Sequence, residues 1–282
     1  MTDASFLEKD RSQGAGTGPE KKPGLKGFWE LERNRELFFY WSYGVLIALA
    51  ELIVSYYSIK LGIFIHFLLL GGVLFHSAYA FRTGTPWLYL TLALAPLTRI
   101  LSLSMPLTDI SPILWYFAIC TPLFAAAVGV MRILEFKPAY VGLNLNNLPM
   151  QFVIALLGFP LGFIEYHILK PQPLVSSFNM PEILLWFLVL LIFTGLLEEL
   201  IFRGIMYRAA FKAVGAGFAL FYVSFIFAAL HITHLSFWDV IFVFLVALLF
   251  TRIFVWQKSI VGLTVAHGLT NTTLYIICPL VF

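Results

Sequence analysis

Apolar runs of about twenty residues recur along nearly the whole chain and leave it few ways to fold in water. As a helix, each is long enough to cross the ~30 Å hydrocarbon core of a bilayer. Hydrophobic residues make up 60% of the 282 positions and charged residues 12%, against about 25% charged residues in soluble proteins. The sequence therefore predicts an all-α polytopic membrane protein with about eight to nine transmembrane helices. Nine fit best, at 37–58, 62–81, 86–105, 112–133, 151–169, 182–203, 218–235, 237–255 and 259–280. Pro96 and Arg99 interrupt the third run, so a count of eight stays open.

The distribution of lysine and arginine predicts the orientation, because cytoplasmic loops carry an excess of basic residues. With nine spans, one side receives the basic N-terminal tail and most of the basic loop residues, and the other receives Lys60 and Lys170. We therefore expect a multi-pass integral membrane protein, in the cell membrane if the source is prokaryotic, with its N-terminus in the cytoplasm. The lipid bilayer is its first partner, and a net charge of +3 spread over loops gives no reason to expect nucleic acid.

Composition also divides the chain into segments. Residues 1–35 are expected to form a disordered cytoplasmic tail, because most of them are Gly, Pro, Ser and charged residues without an apolar core. Residues 36–133 hold a group of four transmembrane helices. The polar, turn-rich stretch 134–150 is predicted to be a cytoplasmic linker, and 151–282 hold the remaining helices together with the clustered polar chemistry.

Two adjacent carboxylates, Glu198 and Glu199, lie at the end of the sixth apolar run. One charged residue at the centre of a membrane helix costs about 2.5–3.5 kcal/mol on insertion scales, so a pair there indicates a function. Arg203 follows Glu199 by one helical turn, an i,i+4 spacing that places both on one helix face. We expect Arg203 to hold Glu199 ionised while Glu198, rotated by about 100°, faces a cavity.

Two further runs carry polar residues at a similar depth. His231 and Glu198 lie about equally far along the chain from the Gly-Ala-Gly turn at 215–217, so an antiparallel helix pair would bring them to one level and let them share a water. His267 and Asn271 stand at i,i+4 on the last run, where both could donate hydrogen bonds to one point, as an oxyanion hole requires. The sequence predicts an active site in the C-terminal helical bundle, open toward the cytoplasmic side.

These residues fall into three short motifs. Residues 198–203 read Glu-Glu-Leu-Ile-Phe-Arg, 227–231 read Phe-Ala-Ala-Leu-His, and 267–271 read His-Gly-Leu-Thr-Asn. In this order, and each on its own apolar run, they resemble the EExxxR, FxxxH and HxxxN/D motifs of the CPBP family, the CAAX-protease and bacteriocin-processing membrane proteins also called Rce1-type or Abi proteins. The resemblance covers residues ~150–280.

The resemblance implies an intramembrane endopeptidase of the type II CAAX prenyl protease kind. Its catalytic residues would be Glu198, Glu199, Arg203, His231, His267 and Asn271. Glu198 would be general base to a water, with His231 positioning that water and sharing its proton. His267 and Asn271 would stabilise the oxyanion, and Glu199 with Arg203 would organise the site. The substrate would be a peptide or lipidated protein, either a prenylated CaaX protein or a leader-type peptide, with no cofactor.

Two other functions use the same residues. Two carboxylates and two histidines could bind Zn²⁺, which commonly takes two His and one Glu plus water, and this would make the chain a zinc-dependent membrane metalloprotease. The absence of an H-E-x-x-H helix speaks against it. A non-enzymatic membrane scaffold or immunity protein is the other alternative, because a sequence shows residues and not turnover.

Polar residues outside the motifs receive structural interpretations. Glu51 of the first run is expected to pair with Arg99 of the third, because lone charges within membranes find partners. Glu165 is expected to be solvated near the outer end of its span. The Gly158-x-x-x-Gly162 pattern predicts close helix packing. The remaining histidines are expected to be interfacial or structural: His66, His76, His167 and His234.

Overall fold

The structure, a computed structural model, describes residues 26–83, 87–104 and 110–282, with side-chain surroundings given from residue 34 onward except at Thr83. Two compact units divide the chain, residues 1–39 and residues 40–282. In the first unit the described residues, 26–39, are helical. The fold of the second unit is the one that positions the polar motifs.

Nine helices and no strand occur in the described ranges. In chain order they are α1 Lys26–Tyr56, α2 Ile59–Thr83, α3 Trp87–Ser104, α4 Pro112–Ile133, α5 Leu148–Leu169, α6 Met180–Val214, α7 Ala216–His234, α8 Phe237–Gln257, and α9, which runs through Val261–Thr272, Thr273–Ile277 and Cys278–Val281.

Eight of these helices, α1 to α8, are long and apolar enough to cross a membrane. The ninth, α9, is of similar length, but its polar side chains, among them His267 and Asn271, lower its mean hydropathy. The protein is therefore an all-α polytopic membrane protein, as predicted.

Helix α1 begins at Lys26, earlier than the predicted tail would end at residue 35. Residues 26–35 contain Leu, Glu and Arg, which favour helices. The rest of the predicted tail, 1–25, lies outside the described residues.

The helices of the second unit pack around one large apolar core, beside a smaller cluster around Trp186 and Ile276, and turn apolar side chains outward as well. All nine helices contribute buried residues to this core, for example Ile47, Val73, Leu88, Leu123, Ile154, Ile201, Ile226, Phe254 and Ala266. On the outer surface, Phe75 is 78% exposed and Trp238 69% exposed. Helices that are apolar all round are suited to a lipid environment.

Helix α3 is broken at Ala93, between the helical segments Trp87–Leu92 and Leu94–Ser104. Pro96 causes the break, because it has no backbone N–H to donate to the carbonyl of Leu92, four residues earlier. The predicted interruption of this run is confirmed, and the segment after it places Arg99 inside the bundle.

The predicted linker 134–150 is a structured connection. Ser259 donates a hydrogen bond to the backbone carbonyl of Asn144 over 2.8 Å, and Asn144 Nδ2 donates to the carbonyl of Lys258 over 2.8 Å. Gly142 has a φ of +87°, and a Cβ there would lie 2.7 Å from the Phe254 ring. The connection is thus fastened to the turn between α8 and α9.

Candidate active site

Helix α6 carries both carboxylates between two π-helical segments, Leu190–Leu196 and Leu200–Met206, which flank the short α-helical stretch Leu197–Glu199. Single π-helical turns inside α-helices often occur at functional sites because they change which side chains share a face. Here the two neighbours differ in surroundings, since the Glu199 side chain is fully buried and the Glu198 side chain is 31% exposed. The pair is therefore chemically unequal.

Arg203 and Glu199 form a buried ion pair. Arg203 Nη1 donates to Glu199 Oε1 over 2.8 Å, and the Arg203 side chain is 1% exposed. The guanidinium carbon lies 4.4 Å above the Phe227 ring and 5.6 Å from the Phe250 ring, distances typical of cation–π contacts. The predicted i,i+4 contact is confirmed, and the aromatic rings help to shelter the guanidinium in an apolar setting.

His267 lies between the two carboxylates. Its Nδ1 donates to Glu199 Oε1 over 3.0 Å, and its Nε2 lies 3.7 Å from Glu198 Oε2, beyond hydrogen-bond distance. Glu199 thus accepts from both Arg203 and His267 at one oxygen. The other oxygen, Oε2, is buried without a hydrogen-bond partner among the described protein atoms.

His231 stands where α7 leaves the α-helical conformation. The α-helix ends at Ala229, and His231 itself has φ −95° and ψ 0° before the 3₁₀ turn Ile232–His234. Its Nδ1 lies 2.9 Å from the carbonyl oxygen of Phe227. Because a carbonyl only accepts, Nδ1 carries the hydrogen, and in the neutral ring Nε2 is left as the acceptor.

No ring nitrogen of His231 lies within 4 Å of the Glu198 carboxylate. Within the described parts of the chain, His267 is the histidine whose ring nitrogen comes within 4 Å of that carboxylate. The sharing of one water by Glu198 and His231 stays a prediction.

Asn271 differs from its expected arrangement. Its Nδ2 donates to Thr194 Oγ1 over 2.8 Å, and that hydroxyl donates in turn to the carbonyl of Leu190. A carboxamide has two N–H groups, so one is still available beside His267. His267 and Asn271 therefore do not simply point two free donors at one spot, because each already has a partner on α6.

Close packing of α5 on α9 fixes the position of the helix that carries His267 and Asn271. A Cβ at Gly158 would lie 2.3 Å from the carbonyl oxygen of Ala266, and one at Gly162 would lie 2.4 Å from that of Thr270. Neither position leaves room for a side chain, so α5 and α9 contact each other through their backbones. The predicted close packing at the Gly158-x-x-x-Gly162 pattern is confirmed.

Helices α5 to α9 line an open cavity with about 390 Å³ of empty space, a figure that includes the solvent at its mouth. Its polar lining contains five of the six predicted site residues. Glu198, which the sequence predicts to face a cavity, is not among the lining residues of this one, and its buried neighbour Glu199 lines it instead. The polar members are Glu165, Glu199, Arg203, His231, His267, Thr270 and Asn271, and the apolar members are Phe227, Phe242, Val243, Val246 and Phe250.

Glu165 corrects one prediction. It was expected to be solvated, but it is 6% exposed and lines the cavity. The physical reason is the close contact of α5 with α9, which covers the face that carries Gly158 and Gly162. Glu165 follows Gly162 by three residues and so shares that face, and this spacing is the signal that could have revealed it.

The four remaining histidines occupy different settings. His66 is fully buried beside Glu51, His76 stacks on Tyr89 with ring centres 3.9 Å apart, and the exposed His167 bonds to a backbone carbonyl of its own helix. His234 Nδ1 lies 2.8 Å from Oδ2 of the fully buried Asp239, a partner that the sequence did not indicate.

The donor set does not resemble a zinc site. No group of three or more His, Cys, Asp or Glu side chains in the described ranges is arranged to bind a metal. The Glu199 oxygen nearest His267 already accepts from Arg203, and a guanidinium 2.8 Å away opposes a divalent cation. The residues present therefore do not fit a bound Zn²⁺.

Comparison with known proteins agrees with the motif resemblance. Residues 180–273 match the family model described as type II CAAX prenyl endopeptidase Rce1-like. No curated protein and no solved structure matches the chain. The matched segment contains α6 to α8 and most of α9, with all six predicted site residues. The stretch from residue 180 to residue 273 is thus similar to the type II CAAX prenyl endopeptidases of the Rce1-like family.

Proposed function

We propose that this protein is an intramembrane endopeptidase in which Glu198 activates a water molecule to hydrolyse a peptide bond. The observation that carries the proposal is the inequality of the two carboxylates. Glu199 is buried and accepts from Arg203 and His267, whereas Glu198 is 31% exposed with an imidazole nitrogen 3.7 Å away. The partly exposed carboxylate can meet water and substrate, and the buried one holds the site together.

In the proposed reaction, Glu198 takes a proton from water as the water oxygen attacks the carbonyl carbon of the substrate. The tetrahedral oxyanion accepts hydrogen bonds from the second N–H of Asn271 and from Nε2–H of His267, which acts as an imidazolium because its Nδ1–H is donated to Glu199. The proton then passes to the amide nitrogen as the C–N bond breaks, which releases a carboxylate and an amine. A water nucleophile forms no acyl-enzyme.

His231 is proposed to position the water and to share its proton. Its Nδ1 hydrogen is engaged by the Phe227 carbonyl, so Nε2 is the nitrogen available to accept from water. A positioned general base contributes about 10²–10⁴-fold in rate, and one oxyanion donor about 10²–10³-fold. Glu199 and Arg203 act through His267, which Glu199 holds at 3.0 Å.

The substrate is proposed to be a membrane-associated peptide, either a prenylated CaaX protein or a leader-type peptide, that enters from the cytoplasmic side. One wall of the cavity supports an apolar substrate portion. It is formed by α8 with Phe242, Val243, Val246 and Phe250.

The test is cleavage of a panel of prenylated CaaX peptides and leader peptides by the purified protein in lipid nanodiscs, read by mass spectrometry. Wild type, Glu198→Gln and His231→Ala are compared with Glu182→Gln, which removes a carboxylate on the same helix outside the site. Wild type and Glu182→Gln should cleave the same peptide at similar rates, and the two site variants should cleave it at least about 10²-fold more slowly. Each reaction is repeated with a chelator, which should change nothing.

Two results would replace the proposal. Cleavage that a chelator abolishes and Zn²⁺ restores would establish a metalloprotease. Binding of a panel peptide without cleavage, by wild type and both site variants alike, would support a scaffold or immunity role.

A further inference from the structure

A second buried polar network lies outside the matched segment and joins the first three helices. Arg99 Nε of α3 donates to Glu51 Oε1 of α1 over 2.7 Å, which confirms the predicted ion pair. His66 Nε2 of α2 lies 3.1 Å from the same oxygen. Glu51 and His66 are fully buried, and the Arg99 side chain is 11% exposed.

The other arm of Arg99 reaches the candidate active site. Arg99 Nη2 donates to the backbone carbonyl of Leu230, the residue directly before His231. The last carbonyls of an α-helix have no partner within the helix, and the α-helical part of α7 ends at Ala229. Arg99 therefore binds a helix-end carbonyl in the peptide unit that connects Leu230 to His231.

We infer that Arg99, held by Glu51, is a positioning residue for His231; the inference rests on the proposed function. Two contacts define where the imidazole lies. Arg99 fixes the peptide before His231, and the Phe227 carbonyl fixes Nδ1 of the ring. With both in place, Nε2 has one location relative to the cavity.

The chemistry of arginine suits this role. A guanidinium has donors on separate edges of a rigid plane, so one side chain can bond to a carboxylate and to a carbonyl at once. Lysine would keep the charge opposite Glu51 but is a single point donor on a flexible stem. Arg99→Lys therefore preserves the ion pair while releasing the Leu230 carbonyl, which separates positioning from folding.

The N-terminal helices thereby take part in the reaction. Glu51, His66 and Arg99 belong to α1, α2 and α3, none of which lies within residues 180–273. A misplacement of about 1 Å in a reacting group can lower the rate by about 10²-fold. Arg99→Lys should therefore lower kcat by about tenfold to 10²-fold, with KM little changed, because His231 lies at the reaction centre and not on the apolar wall.

The first test is a double-mutant cycle on a peptide that wild type cleaves. Arg99→Lys is measured in the wild-type and in the His231→Gln background, with Arg132→Lys, an exposed arginine at the end of α4, as matched control. If Arg99 acts through His231, the loss in kcat appears in the wild-type background and is absent from the His231→Gln background. An equal loss in both backgrounds, or no loss in either, overturns the inference.

A second readout does not depend on activity. The chain has six histidines, and ¹⁵N-histidine spectra of wild type and His231→Gln identify the His231 signals. Arg99→Lys should shift these signals, and Arg132→Lys should leave them in place. Unshifted His231 signals in Arg99→Lys overturn the inference even if no peptide is cleaved, whereas failure of wild type to cleave any peptide counts against the proposed function alone.

Discussion

Arg203→Met tests the buried ion pair that organises the site. The substitution removes a charge-assisted hydrogen bond of 2.8 Å and leaves Glu199, with no exposed side-chain surface, without its cation. Breaking a buried pair by deleting one partner costs about 3–5 kcal/mol. Since His267 still donates to Glu199 Oε1, we expect the free energy of unfolding to fall by about 3 kcal/mol, the lower end of that range.

The double variant Glu199→Gln/Arg203→Met removes both charges. Its glutamine oxygen can still accept from His267, and no uncompensated charge is left in the bundle. Residues in direct contact couple by about 0.5–3 kcal/mol. The loss in free energy of unfolding should therefore be smaller for the double variant than the sum of the losses for the two single variants, by about 2 kcal/mol.

The assay is reversible unfolding in mixed micelles, followed by the fluorescence of the seven tryptophans. Arg132→Met, which changes an exposed arginine, is the control and should shift the free energy of unfolding by less than about 0.5 kcal/mol. Two results would refute the reasoning. One is that the effects of Glu199→Gln and Arg203→Met on the free energy of unfolding add up in the double variant, and the other is that Arg203→Met loses no more stability than the control.

Three further predictions concern single positions. Glu198→Gln should lower kcat by about 10²–10⁴-fold while leaving the melting temperature near that of wild type, because this side chain is partly exposed; a wild-type kcat would contradict the assignment. Asn271→Ala should lower kcat by about 10²–10³-fold in steady-state cleavage assays, and a change confined to KM would place the residue in substrate binding. Gly162→Ala should lower the free energy of unfolding by about 1–3 kcal/mol, because its Cβ would meet the carbonyl of Thr270 at 2.4 Å. Gly129→Ala, which has open space around its Cβ position, is the control, and equal effects of the two changes would contradict close packing of α5 on α9.

Much of the fold could be predicted because hydropathy and span length are local properties of the chain. The same holds for the contact of Glu199 with Arg203, which follows from one helical turn. The pairing of Glu51 with Arg99 could also be predicted, since buried charges on neighbouring spans need partners.

Contacts that depend on helix rotation could not be read from the sequence. No residue pattern in the sequence predicts the π-helical segments on either side of Leu197–Glu199. These segments change the directions in which the two carboxylates face. The sequence could not indicate that Thr194 occupies one N–H of Asn271. The Arg99 contact with the Leu230 carbonyl likewise requires the three-dimensional end of α7.

Glu165 shows how a packing motif can carry functional information. The predicted span 151–169 lies within α5, and the Gly158-x-x-x-Gly162 pattern predicts a packing face on it. The further step, that a carboxylate three residues after Gly162 is covered by the same neighbouring helix, follows from helical geometry. The expectation of a solvated residue was wrong because it considered depth along the span and not rotation around it.

The most direct test of a glutamate-activated water is the single-turnover rate of peptide cleavage by wild type and Glu198→Gln in nanodiscs, with saturating substrate and with chelator present. The account predicts chelator-insensitive cleavage by wild type and by Glu182→Gln, and a rate at least about 10²-fold lower for Glu198→Gln. Cleavage by Glu198→Gln at the wild-type rate would contradict it.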